Sequence, residues 1–159
     1  MPNRSRRTLL PLSLVAGLAF SPLVASHFDD KEILQSYRQS WFAMVAINFG
    51  PMASMLKGEM PWDDARMSAA ADQLAQLAAM DISRGFAPGS DKGKTRARPE
   101  IWQNQDDFAQ KMTDMRDAAM ALQSATQGGD RKAIAQAIGA AGQTCKACHD
   151  EYKSEDYLY

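Results

Sequence analysis

Apolar residues recur along this chain at helical intervals, and no stretch shows the strict alternation of a half-buried strand. From about Asp29 to Lys57 the stripe Leu34, Tyr37, Trp41, Met44 and Ile47, with further methionines, predicts one long helix ended by Gly58 and Pro61. A second helix is predicted from Asp63, a good N-cap after Pro61-Trp62. It carries Met67, Ala70, Leu74, Leu77 and Ala78, and its many alanines favour the helix and allow close packing. From Ser83 to about Arg98 the pattern lapses into a polar connection with Gly85, Pro88, Gly89 and Gly93. No core is expected there, and its length marks it as either mobile or functional. A third helix follows Pro99-Glu100-Ile101-Trp102, with Phe108, Met112, Met115, Ala119 and Leu122 at alternating steps of four and three, and stops at Gly128-Gly129. The last starts at the N-cap Asp130 and carries Ile134, Ile138, Ala141, Cys145, Cys148 and Tyr152 in the same rhythm. Such spacing favours shallow crossings of antiparallel helices, so a four-helix bundle is expected.

The first 26 residues change the picture of where the chain works. Arg4, Arg6 and Arg7 precede an apolar run from Leu9 to Val24, broken by prolines, serines and a glycine, and then the small-residue string Val24-Ala25-Ser26. This reads as a secretory signal peptide cleaved before His27, and it predicts a periplasmic protein. An uncleaved membrane anchor is the competing reading. The remaining residues, 27–159, suit one domain. Without the three leader arginines they carry 15 basic against 19 acidic side chains, a net −4, which argues against nucleic acid or anionic membrane as a partner.

Candidate chemistry is concentrated in Cys145-Lys146-Ala147-Cys148-His149. This run uses both cysteines of the chain and one of its two histidines. The order C-x-x-C-H is the attachment signature of c-type haem: two thiols form thioethers with the haem vinyl groups, and the next residue offers an imidazole to iron. On a helix the three side chains fall within an arc of about 100°. A C-x-x-C pair also suits a disulfide, a redox dithiol or half a zinc site. Zinc lacks a full ligand set in this sequence, and the expected strand-helix-strand context of a redox dithiol is missing. The two cysteines continue the core-facing stripe of the last helix, so the prosthetic group is expected inside the bundle.

Four further segments carry a resemblance. They are Tyr37-Arg38-Gln39-Ser40; Lys57-Gly58 before Pro61; Phe86 with Gly89-Ser90 and then Ala97-Arg98-Pro99-Glu100-Ile101-Trp102; and Thr144 to Asp150 around the haem motif. Over nearly all of residues 30–153 the chain resembles the cytochrome c-prime family, itself a standard example of the up-down-up-down four-helix bundle. The resemblance implies an all-α antiparallel bundle with one haem c in its core, a high-spin five-coordinate iron and His149 as proximal ligand. Phe42 is implied to close the opposite face, where low-spin relatives carry a ligating Met. Met44 lies about 200° further round the helix and should point elsewhere. Arg38 is implied to lie near the haem propionates, with a solvated surface Arg as the alternative. Trp41 and Lys153 complete the implied haem pocket; Lys153 sits where relatives often carry a basic residue.

Three functions fit this reading. The first is binding of small diatomic gases, NO and CO, beneath an apolar lid. The second is electron transfer with unidentified redox partner proteins, in which a six-coordinate low-spin iron is the runner-up. The third is weak NO-reducing or peroxidatic activity, although no separate acid-base pair is visible and a non-enzymatic role is expected. The resemblance also implies a homodimer through the first two helices, to which Phe49, Met52 and Met55 could contribute unless they are core.

Overall fold

Helix ends fall where side chains or glycines can satisfy the unpaired backbone groups of the terminal turns. The computed structural model describes residues 33–157. Helix α1 spans Ile33–Leu56, α2 Asp64–Ala78, α3 Glu100–Gln103, α4 Gln105–Gly128 and α5 Arg131–Tyr152, with a short 3-10 turn at Ser83–Phe86. Asp63 caps α2 by accepting from the Arg66 N–H at 3.0 Å, and Asp130 caps α5 by accepting from the Lys132 N–H at 2.9 Å. Gly129 ends α4 in the left-handed region at φ 73°, a conformation costly for residues with a Cβ. The signal peptide, its cleavage before His27 and the expected helix start at Asp29 lie outside the described residues.

The four long helices form a four-helix bundle. Helix α1 packs on α2, α2 on α4, α4 on α5, and α5 closes on α1. The main core runs through Trp41, Met52, Met67, Leu74, Leu122 and Ile138, and a smaller cluster of Ile101, Phe108 and Tyr152 sits at one end. Small residues of α2, Ala71, Ala75 and Ala78, are buried where it meets its neighbours. No described helix is long and apolar enough to cross a membrane.

Several expectations need correction. On α1 the buried positions are Gln35, Arg38, Trp41, Val45, Met52 and Met55, while Met44 is 43% and Ile47 74% exposed. Two polar residues take part of the inward stripe because they bond the connection that packs against them. Met52 and Met55 are core rather than a free contact surface, and Phe49 is half-buried against that core. Pro51 lies inside α1; the Ile47 carbonyl it cannot serve belongs to an exposed residue that water can reach. The Pro-Glu-Ile-Trp segment is a separate turn, α3, broken from α4 at Asn104, where φ is −122° and ψ 52°.

The connection between α2 and α3 does hold core. Gly85, Ser90 and Thr95 are buried, and Phe86 packs against both hydrophobic clusters. Its far end pairs with the end of α5. The Arg98 N–H donates to the Tyr152 carbonyl at 3.0 Å, and the Ser154 N–H donates to the Arg96 carbonyl at 2.8 Å.

Candidate cofactor site

Helix α5 presents Cys145, Cys148 and His149 to a cavity of about 510 Å³ bounded by α1, α4, α5 and the connection. That volume lies in the range of about 300–1,000 Å³ usual for small-molecule and cofactor pockets. Both cysteines are free and half-buried. Burial raises the pKa of the Cys145 thiol and pushes that of Cys148 up to about 11. His149 is shifted the other way, first by burial and then by the charges of Lys153 and Arg96, with Asp150 opposing. It is therefore held as neutral imidazole at pH 7, the form with a lone pair to offer a metal. Among the described residues no cluster of three or more His, Cys, Asp or Glu could hold a metal ion, so the half-zinc-site alternative finds no other ligands there.

Arg38 is 2% exposed, which removes the solvated alternative. It lines the cavity and bonds protein oxygens: Nη1 donates to the Gly85 carbonyl at 2.8 Å and to Ser90 Oγ at 3.0 Å, and Nη2 donates to Thr95 Oγ1 at 2.7 Å. Its guanidinium lies 5.4 Å from the Phe86 ring centroid and 5.7 Å from that of Trp102. Burial lowers its pKa, and Asp91 partly restores it. Three of its five N–H donors are thereby engaged.

Phe42 lines the same cavity as His149 and the cysteines. Trp41 does not line it. It is 1% exposed in the core behind Phe42, the two rings meeting edge to face at 4.8 Å, and its Nε1 donates to the Leu77 carbonyl at 3.0 Å. Trp41 thus backs the lining residue rather than forming the wall. Met44 is exposed and lies away from the cavity, as its angular offset requires, whereas Met112 and Met115 of α4 do line it.

Lys153 lines the cavity just after α5, beside Arg96. Arg96 was not singled out from the sequence, since one arginine in a polar connection gives no signal. In the fold it donates from Nε to the Ser154 carbonyl at 2.8 Å and from Nη2 to the Glu155 carbonyl, fastening the chain beyond α5 to the connection. Tyr152, 4% exposed, also lines the cavity and donates to Asp107 Oδ2 at 2.6 Å.

The walls suit a large, mostly apolar ring. Two thiols and an imidazole stand on one helix, α1 supplies Phe42, Ala46 and Phe49, and cations stand at Arg38, Arg96 and Lys153. The sequence pattern of the Cytochrome C' family matches residues 34–153. This chain belongs to the cytochrome c' family. Cytochrome c' from Cereibacter sphaeroides is 40% identical over 151 residues, covering 93% of this chain and 97% of the relative. Among solved structures, cytochrome c prime from Shewanella frigidimarina superposes with a TM-score of 0.76 at 44% identity, covering 80% of this chain and 99% of that one. A nitric oxide complex of a leucine-to-alanine variant of cytochrome c prime from Alcaligenes xylosoxidans gives 0.72 at 36% identity, covering 81% and 99%. As in other cytochromes c', the cofactor is covalently attached haem c.

Proposed function

We propose that this cytochrome c' is a gas-binding haem protein of the periplasm. Cys145 and Cys148 hold the haem through thioethers, and His149 is the protein ligand of its iron. The observation that carries the gas reading is Phe42. It shares the cavity with His149 and has no atom that can ligate, while Met44, the nearest methionine on α1, faces away. Haem bound there supplies iron chemistry toward small diatomic molecules such as NO and CO. The residues of the chain supply selection. An apolar wall at Phe42 offers no hydrogen bond to a polar ligand, and the cations at Arg38 and Arg96 suit the carboxylates of a haem. The nitric oxide complex of the Alcaligenes relative supports the same class of ligand. Optical spectra of the reduced holoprotein with and without CO test the reading: a high-spin spectrum that shifts on CO addition is expected. A low-spin spectrum indifferent to CO rejects it.

Met112 and Met115 support the runner-up, a low-spin electron carrier, because both line the cavity. The same spectra distinguish the two. Export follows from the leader, and N-terminal sequencing of the mature protein is expected to begin at His27. A homodimer through α1 and α2 is supported by Ile33, Met44 and Ile47, which stand exposed within roughly 60° of one another around α1. Ile47→Glu is then expected to give a monomer by analytical ultracentrifugation.

A further inference from the structure

A second cavity, about 660 Å³, opens on the outside of the bundle between the end of α2, the 3-10 turn, α3 and the first turns of α4. Its exposed members are mixed, with Asp81, Asp106 and Arg116 beside Met80 and Pro88, while its most buried ones, Ile82, Ile101 and Phe108, are apolar. Four side chains line both this groove and the haem cavity: Phe86, Ile101, Phe108 and Met112. The partition between the two spaces is therefore a single layer of side chains.

The four are not equally fixed. Ile101 and Phe108 are buried in the smaller core cluster with Tyr152. Phe86 and Met112 are only partly buried, and each packs against both clusters, so they occupy the seam between two cores. Methionine has three rotatable bonds and little shape preference. The backbone at Phe86 is held, since Trp102 Nε1 donates to its carbonyl at 2.9 Å and Arg38 fixes the Gly85 carbonyl before it; its ring is bounded by the Arg38 guanidinium and the Trp102 ring, which leaves Met112 the freer of the two. The Phe86 ring meets Phe108 edge to face at 4.7 Å and faces Phe42 at 6.5 Å. Rotation of Phe86 and Met112 thus joins the groove to the wall at Phe42.

We propose that the outer groove is the entry and holding site for uncharged diatomic gas, with Phe86 and Met112 as its gate. This rests on the gas-binding reading above. The rim of the haem cavity carries the cations Arg96, Lys111 and Lys153, groups that favour water over an apolar molecule. An apolar molecule gains nothing there and does gain from the apolar floor of the groove. The gate also delivers it beside Phe42 rather than beside His149.

The test uses CO and xenon on the holoprotein. Met112→Ala widens the gate, and Met112→Trp fills it. CO association after flash photolysis is expected to rise in the first and fall in the second, each by roughly tenfold, the change that about 1.4 kcal/mol of barrier produces. Crystals of the parent under xenon pressure are expected to show xenon between Phe86 and Met112, displaced in Met112→Trp. Phe86→Leu, a milder opening, keeps the test alive if either Met112 variant fails to fold, and it is expected to move the rate with Met112→Ala. Unaltered ferrous spectra show that the haem surroundings are intact. Rates within twofold of the parent in every variant, or a shift of both Met112 variants in one direction, overturn the gate. A parent that binds no CO at all instead overturns the gas reading.

Discussion

Arg38 and Gly85 are joined across 47 residues of chain by a 2.8 Å hydrogen bond, and a Cβ added at Gly85 would stand 3.1 Å from the Arg38 Cβ. The same arginine is thus both the anchor of the connection and the reason it must pass so close to α1. Gly85→Ala would press on Arg38 and on the Tyr37 ring, also 3.1 Å away, and both belong to a regular helix. A loss of about 1–2 kcal/mol is expected, read from urea denaturation of the holoprotein.

Removing the anchor should cost more. Arg38→Ala strips partners from Gly85, Ser90 and Thr95 and leaves a buried space. About 2–4 kcal/mol of destabilisation is expected. Arg38→Lys keeps the charge, loses the fork, and should recover only part of it. A Lys variant as stable as the parent would show that the three hydrogen bonds matter less than the charge.

At the wall of the cavity, Phe42→Met puts a thioether where the parent has a ring. The expected result is a shift of the reduced spectrum toward low spin, with weakened CO binding. Unchanged spectra would place Phe42 away from the iron.

The Tyr152–Asp107 hydrogen bond sets stability limits at both ends of the pH scale. The Asp107 carboxyl lies below its usual value of 3.8, chiefly because the Tyr152 hydroxyl bonds to it. Its contribution is present above pH 3.8 and is lost as pH falls through the lower folded value. The Tyr152 phenol lies above its usual 10.0, first from burial and then from the bond to Asp107. That contribution is complete below pH 10 and fades as pH rises. Tyr152→Phe should therefore flatten the melting-temperature profile at both its acid and alkaline edges. A profile parallel to the parent at both edges would assign the pH dependence to other groups.

Attachment can be tested by mass. Cys145→Ala and Cys148→Ala are each expected to retain haem through one remaining thioether. The double variant should release it in acidified organic solvent. Retention of haem by the double variant under those conditions would disprove the assignment.

The parts of the fold legible in the sequence were those written in caps and periodicity. Asp63, Asp130 and Gly129 act locally, so their roles follow from neighbours in the chain. The attachment run was legible because the chemistry of haem c demands that residue order. The inward face of α1 was not, since Gln35 and Arg38 are buried to bond a segment some 47 to 57 residues away. Hydrophobic patterning registers only the apolar part of such a face. For the same reason Ser90 and Thr95 read as polar connection yet lie inside, with Arg38 as the partner that makes their burial tolerable. Trp41, which the resemblance implies for the pocket, adjoins Phe42 in the chain, but adjacent residues on a helix point about 100° apart, and it stands in the core instead.

The pairing of residues 96–98 with 152–154 has a consequence for biogenesis. The strap that seals one side of the chamber follows Cys148 by only a few residues, so it can dock only after the thiols have emerged. At roughly 5–20 residues per second the two emerge within about a second of each other, so a ligation machine must act before this pairing forms or on a chain in which it has opened. A chain ending at His149 should accept its tetrapyrrole yet never latch shut around it.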